Sequence, residues 1–173
     1  CDGAFHAGRD VVVVGGGDNA LKEALFLTKY CRTVTVVHRR HVLRGEKIYR
    51  ERVLANDKIR MLWDTVVDSV DGKDKLESVK LRDLKTGEAS VLPASGLFIS
   101  IGTEPCAGFA GGILELNERG QIKVGAHMET SVPGLFAAGD VCDACPRQIA
   151  TAVGTGVHAA LSAEEYLSRR ELN

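Results

Sequence analysis

The chain has 173 residues, 45% hydrophobic and 26% charged, and its 22 Lys and Arg face 23 Asp and Glu for a formal net charge of -1. This is the composition of a folded globular protein, and the near balance of charge argues against a general nucleic-acid or anionic-membrane binder. No apolar run approaches the roughly 18 residues of a membrane span and no signal peptide is visible, so a cytoplasmic location is expected, with no nucleic acid or membrane as partner.

Val11 to Val14 is a continuous β-branched run suited to a buried parallel strand. It ends in Gly15-Gly16-Gly17-Asp18-Asn19-Ala20. Gly15, Gly17 and Ala20 fit the G-x-G-x-x-G/A pattern, in which small residues let the backbone and a helix N-terminus approach a pyrophosphate. Asp18 to Tyr30 follows as an amphipathic helix, with Leu21, Ala24, Leu25 and Leu27 on or near one face. Thr33 to Val37 reads as a second strand and completes a β-α-β unit. That strand stops at His38-Arg39-Arg40, with Arg44 close behind. A site for NAD usually carries Asp or Glu roughly 20 residues after the fingerprint, to accept hydrogen bonds from the ribose 2′-OH. A basic cluster in that place suits a 2′-phosphate instead, so NADPH is favoured over NADH. Gly154 to Ala159 also matches the glycine pattern. No strand precedes it, and it reads as close helix packing.

Glu46 to Asn56 has helical character and Lys58 to Trp63 reads as a third parallel strand. The texture then changes. Thr65 to Val70, Leu76 to Asp83 and Glu88 to Leu92 alternate apolar with polar residues, divided by turn signals at Asp71-Gly72-Lys73 and Thr86-Gly87. They predict a three-stranded antiparallel meander inserted into the α/β unit. Gly96 to Ile101 returns to the apolar run of a buried strand and stops at Gly102. Gly102 to Gly112, with Pro105 and glycines at 102, 108, 111 and 112, reads as a linker or crossing segment.

Beyond it the pattern predicts a hairpin over Ile113 to Val124, a short strand at Leu135 to Ala138 leading into Gly139-Asp140, and a long helix from Gln148 to Ser168. So few elements do not make a self-sufficient nucleotide-binding core, and the second unit reads as incomplete. The expected fold is therefore α/β, a Rossmann-like parallel sheet with an inserted antiparallel β-meander over residues 1–107, followed by a partial domain over 108–173.

Cysteines at 1, 31, 106, 142 and 145 form an odd set without secretory marks, which argues against a disulfide scaffold. A start at Cys1 rather than Met points to a fragment. Cys142-Asp143-Ala144-Cys145 is formally C-x-x-C, so a redox pair or half of a metal site is weighed against plain loop thiols. No second ligand pair accompanies it, and loop thiols are the preferred reading, with no metal expected. Cys31, Cys106 and Trp63 read as structural, and His6, His41, His127 and His158 as core or surface.

Taken together, Cys1-Asp2-Gly3, Gly15 to Ala20 with Glu23-Ala24, His38-Arg39-Arg40 with Arg44 and Glu46-Lys47, Ile101-Gly102, and Gly139-Asp140-Val141 followed by Arg147-Gln148 resemble the bacterial thioredoxin reductases, the low-molecular-weight flavoprotein disulfide reductases. The segments stand in family order along the whole chain, which corresponds to the latter part of such a protein. The resemblance implies an NADPH-dependent, FAD-containing thioredoxin-disulfide reductase, homodimeric when full length, with thioredoxin or a similar dithiol protein as partner. It implies that Cys1 is the second cysteine of a Cys-x-x-Cys-Asp redox motif and that Asp2 is the general acid and base beside it. Without the resemblance Cys1 reads as a terminal thiol.

The resemblance further implies that Gly15, Gly16, Gly17, Asp18, Asn19, Ala20, His38, Arg39, Arg40, Arg44, Ile101 and Gly102 serve the cofactors. Residues 108–173 become a segment of an FAD domain, with Gly139, Asp140, Arg147, Gln148 and Ile149 at the flavin. Asp140 accepts hydrogen bonds from the ribitol, and the peptide N–H groups near Arg147 and Gln148 face the pyrimidine edge, with Pro146 in the first turn of the helix. Gly139-Asp140 alone reads as a turn with a helix cap. Two alternatives stand beside this reading: a catalytically inactive NADPH-binding module, which the isolated fragment would be, and a relative such as a ferredoxin-NADP reductase, against which Cys1-Asp2-Gly3 argues.

Overall fold

The structure, a computed structural model, describes residues 2–110, 112–144 and 146–171. Cys1 and Cys145, singled out above, lie outside the described residues, as does Gly111. The chain forms two compact units, Cys1–Gly102 and Thr103–Asn173, so residues 103–107 fall with the second.

In the first unit the β-branched runs become strands. β1 (Asp10–Val14) pairs in parallel with β2 (Thr33–Val37) on one side and with β7 (Gly96–Ile99) on the other, and β3 (Ile59–Leu62) extends the sheet beyond β2. The order β3-β2-β1-β7 makes β1 the strand at which the chain switches direction across the sheet. Alternation along the strands divides the core. Val11, Val13, Val34 and Val36 pack with Ala20, Ala24 and Leu27 of α1 (Asp18–Leu27), while Val12 and Val37 face the other way. That second face is covered by an antiparallel sheet of β4 (Thr65–Asp71), β5 (Ser78–Asp83) and β6 (Ala89–Pro93), through Val79 and Leu81. Each of these valines is almost fully withdrawn from water, which contributes about 1.5–3 kcal/mol apiece before the ordering entropy is subtracted.

The connection from β3 to β7 thus passes through the antiparallel sheet. α2 (Lys47–Leu54) packs through Val53 beside Leu21 and Leu43, with Trp63 half-buried against them. Cys31 lies in the core of this unit, and Cys106 of the second unit is exposed.

Two elements differ from expectation. The helix starting at Asp18 ends at Leu27 rather than Tyr30, because the Lys29 and Tyr30 N–H groups bond the Phe26 and Leu27 carbonyls in tight turns and Thr28 Oγ1 donates to the Leu25 carbonyl. The run from Gly96 is a strand only to Ile99, and Ile99 and Ile101 are 66% and 68% exposed rather than buried. Among the described residues β7 has a neighbour on only one side, and its C-terminal end borders a cavity.

The second unit has a small core of Ala107, Ile122 and Cys142, with Leu114, Val124, Ala137 and Val141 around it. The expected hairpin over 113–124 reduces to one antiparallel bridge, Leu116 to Ile122, closed by a turn that the Asn117 side chain holds through the Arg119 and Gln121 N–H groups. The expected strand at 135–138 is not formed. Phe136 makes one bridge to Glu129 and Ala137 N–H bonds the Met128 carbonyl, too little pairing for a ladder. The helix is longer than expected, α3 spanning Ile149–Glu171. It begins after Pro146, which therefore precedes the helix instead of occupying its first turn. Gly154 to Ala159 lies inside it, but Gly154 and Gly156 are exposed and a Cβ at either would meet nothing within 4 Å, so the close helix packing expected at these glycines is not formed among the described residues.

Candidate nucleotide-binding site

A cavity of about 860 Å³ opens at the C-terminal ends of β1, β2 and β7, where ligands of open parallel sheets bind. Its floor is the glycine turn. Gly15 has φ +147°, and a Cβ there would stand 2.4 Å from the Ser100 carbonyl oxygen and 2.7 Å from Ala20 Cβ, so only glycine fits between the ends of β1 and β7. Gly17 differs. A Cβ there would meet nothing within 4 Å, so its α-carbon faces open space. No side chain caps α1 at Gly17, which leaves the first-turn N–H groups of the helix without a side-chain acceptor beside the cavity.

The basic loop after β2 forms a wall. His38 is 4% exposed, its ring lies against Gly16, and its Nε2 donates to the Val42 carbonyl at 3.1 Å. Burial holds its pKa below the ordinary histidine value, and the Arg44, Arg40 and Arg39 charges push the same way, against the Val42 hydrogen bond. The imidazole is thus neutral at pH 7 and works as packing and as a hydrogen-bond donor. Arg39 and Arg44 line the cavity; Arg40 is exposed and does not. Among the described residues none of these three arginines has a carboxylate partner. Two acids line the cavity, Asp18 and Asp68, and Asp68 is held by Nε and Nη2 of Arg82 at 2.8 and 2.9 Å, which keeps its pKa low. Beside Asp18, the cavity therefore offers two free guanidinium groups and a carboxylate neutralised by Arg82, a setting that still favours an anion near the arginines.

Gly15, Gly16, Gly17, Asp18, Asn19, His38, Arg39, Arg44, Ile101 and Gly102 all line this one cavity. Ala20 does not; it is fully buried beneath the turn. Sequence reasoning missed the wall supplied by β4, residues 65–70, and the bond from Ser100 Oγ to Glu23 Oε2 at 2.6 Å that ties α1 to the end of β7. The alternation of β4 announces a strand, and nothing in it announces which way the strand faces.

Asp2 is exposed in a 3₁₀ turn, Asp2–His6. In the second unit Gly139 (φ +79°) opens a 3₁₀ turn, Gly139–Val141, and its N–H donates to Thr155 Oγ1 at 3.0 Å, which fixes the turn against α3. Asp140, Arg147, Gln148 and Ile149 are exposed, Ile149 at 86%. Among the described residues no cluster of three or more His, Cys, Asp or Glu is arranged to hold a metal ion, and no helix is long and apolar enough to cross a membrane.

A parallel sheet with a glycine turn, a helix N-terminus and unpaired arginines at its switch point defines an α/β unit of the nucleotide-binding type. Residues 2–156 match the pyridine nucleotide-disulphide oxidoreductase family, and the chain belongs to it. It is similar to the thioredoxin reductase of Streptomyces coelicolor, 47% identical over 169 residues that cover 97% of this chain and 52% of that protein. A bifunctional thioredoxin reductase/thioredoxin of Mycobacterium leprae is 42% identical, over 97% of this chain and 37% of that protein. Among solved structures, the thioredoxin reductase of Streptococcus pyogenes superposes with a TM-score of 0.87 at 44% identity, over 98% of this chain and 56% of that one. The chain spans about half the length of the thioredoxin reductases it matches.

Proposed function

We propose that this chain is the NADPH-receiving part of a thioredoxin reductase, with residues 1–107 as the NADPH domain and residues 108–173 as a segment of its flavin domain. The observation that carries the nucleotide assignment is the pair of unpaired guanidinium groups, Arg39 and Arg44, on the same cavity as the open face of Gly17. The glycine turn and helix N-terminus suit a pyrophosphate, and the arginines suit the one group that distinguishes NADPH from NADH. Asn19, Ile101 and Gly102 complete the rim, and Arg40 adds long-range charge.

The flavin assignment has separate support within the second unit. Asp140 stands exposed on a turn that Gly139 and Thr155 hold, ahead of an α3 N-terminus that begins at Ile149. Ile149, Val153, Val157 and Leu161 form an i, i+4 apolar stripe, 57–86% exposed, of the kind a helix presents to a missing layer of its own domain. Asp140 would accept from FAD hydroxyl groups, and N–H groups around residues 147–149 would favour negative charge at the flavin ring. FAD, when bound, supplies hydride acceptance from NADPH and reduction of a disulfide. Cys1 is the proposed thiol of that disulfide on this chain, and Asp2 is the proposed general acid and base beside it. Thioredoxin or a similar dithiol protein is the proposed acceptor, and a homodimer the proposed assembly.

The test is titration of the purified chain with NADPH and NADH, followed by its visible spectrum. NADPH bound more tightly than NADH supports the nucleotide reading; equal affinity refutes it. Flavin bands that NADPH bleaches support a complete reductase, whereas a colourless protein that binds NADPH is a nucleotide-binding module.

A further inference from the structure

Asp18 sits where a carboxylate is unexpected. It is the first residue of α1, on the rim of the cavity, beside the N–H groups that suit a pyrophosphate. A second anion there opposes an anionic ligand, so its presence calls for a role other than binding that ligand. Asp18 Oδ1 accepts the backbone N–H of Glu46 at 2.7 Å. Glu46 lies two residues beyond Arg44, and the N–H groups of Arg44 and Gly45 are also anchored: both donate to the Gly16 carbonyl, at 2.8 and 3.2 Å. Residues 44–46 are thus stitched to the glycine turn by consecutive backbone donors. The fit is close, since a Cβ at Gly45 would stand 3.0 Å from Asp18 Oδ1 and 2.7 Å from Leu21 Cδ1. At the other end of the loop, the His38 ring is wedged against Gly16 and holds the Val42 carbonyl.

We propose that Asp18 is a positioning residue for cofactor selectivity: it holds the loop that carries Arg39 and Arg44 in register over the cavity and does not bind the cofactor. The proposal rests on the NADPH reading above. Asp18 Oδ1 accepts from a backbone donor, and neither Arg39 nor Arg44 pairs with Asp18, so both guanidinium groups remain available to a phosphate. The loop has no helix or strand of its own between Val37 and Lys47, so its register depends on these bonds. A loop free to wander carries the same charges with a large ordering penalty on binding.

The test compares dissociation constants for NADPH and NADH in the 173-residue chain and in Asp18→Ala, Asp18→Asn and Glu46→Pro. The two cofactors differ only in the 2′-phosphate, so their ratio reads the arginine loop and cancels any change at the pyrophosphate. Asn keeps the Oδ1 acceptor without the charge. Pro at 46 removes the donor N–H while Asp18 stays, and the Glu46 φ of -55° suits proline. Asp18→Ala and Glu46→Pro are each expected to reduce the NADPH preference about tenfold, the scale of one charge-assisted hydrogen bond. Asp18→Asn is expected to keep the preference within about threefold. An unchanged ratio in Asp18→Ala or Glu46→Pro overturns the proposal, as does an Asp18→Asn variant that falls as far as Asp18→Ala. Should Asp18→Ala not fold, Glu46→Pro and Asp18→Asn decide the matter. A wild-type chain with no NADPH preference defeats the underlying nucleotide reading, an outcome read before any variant is made.

Discussion

Gly15 and Gly17 belong to one fingerprint, yet alanine at the two positions is expected to break different things. In Gly15→Ala the new methyl meets the Ser100 carbonyl oxygen at 2.4 Å and Ala20 Cβ at 2.7 Å, on a backbone with φ +147°. The conformational strain is about 1–3 kcal/mol and the overpacking adds about 1–3 kcal/mol, so the first unit should lose roughly 2–6 kcal/mol. For a unit of this size each kcal/mol lowers Tm by roughly 4–8 °C, which makes the shift on the order of 10–50 °C. Gly17→Ala places its methyl in open space at φ -95°, so stability should stay within about 0.5 kcal/mol or rise slightly. Its methyl instead occupies the approach to the α1 N-terminus, and NADPH and NADH should both bind more weakly. The chain has a single tryptophan, Trp63, half-buried in the first unit, so urea unfolding followed by its fluorescence reads this unit directly. A Gly15→Ala midpoint equivalent to less than about 0.5 kcal/mol of change refutes the steric argument. Undiminished binding of both nucleotides by Gly17→Ala refutes the assignment of the turn to a pyrophosphate.

Arg39→Ala and Arg44→Ala should each weaken NADPH binding by about 1.5–3 kcal/mol, roughly 10–100-fold, with NADH nearly unaffected, and Arg40→Ala should do less because Arg40 does not line the cavity; calorimetric titration with both nucleotides checks all three. Asp10 joins β1 to β2 through Arg32 and Thr33, whose hydrogen bonds lower its pKa to about 2 from 3.8. A depressed carboxylate contributes stability that is present above pH 3.8 and lost as pH falls through about 2, so Asp10→Asn should flatten the acid limb of a stability-versus-pH curve between those values, by an amount reduced by solvent screening at this half-exposed pair. His38 works at higher pH. Its folded pKa lies below the unfolded 6.5, so the unfolded chain binds the extra proton and stability should fall as pH drops below about 6.5; His38→Gln should remove that slope, and a slope that persists assigns it to another group.

Much of the first unit is legible in the sequence because its signals are properties of residue types. β-branched runs mark β1 and β2, glycines mark their ends, and alternation with turn residues marks the sheet of β4, β5 and β6. The arginine cluster is legible for the same reason, since charge belongs to the side chain wherever it stands. What stayed hidden depends on neighbours. Ile99 and Ile101 are as apolar as a buried strand requires, and their exposure follows from the place of β7 at the sheet edge beside the cavity. Residues 135–138 have the composition of a strand and form none, because their pairing with residues 128–130 amounts to one bridge and two backbone hydrogen bonds, too short for a ladder.

The hidden part of the site is its backbone. The acceptors that hold the arginine loop are the Gly16 carbonyl and one Asp18 oxygen, and their partners are the main-chain N–H groups of residues 44–46. Every non-proline residue carries such a donor, so no residue pattern can announce that these three are the ones engaged. The same holds within the fingerprint, where Gly15, Gly16 and Gly17 are one letter with three duties. Gly15 lets β1 and β7 close on each other, Gly16 makes room for the His38 ring, and Gly17 alone faces open space. A glycine motif read from sequence therefore establishes that close approach occurs there. Which glycine admits the protein and which admits the ligand is decided by what a Cβ would touch.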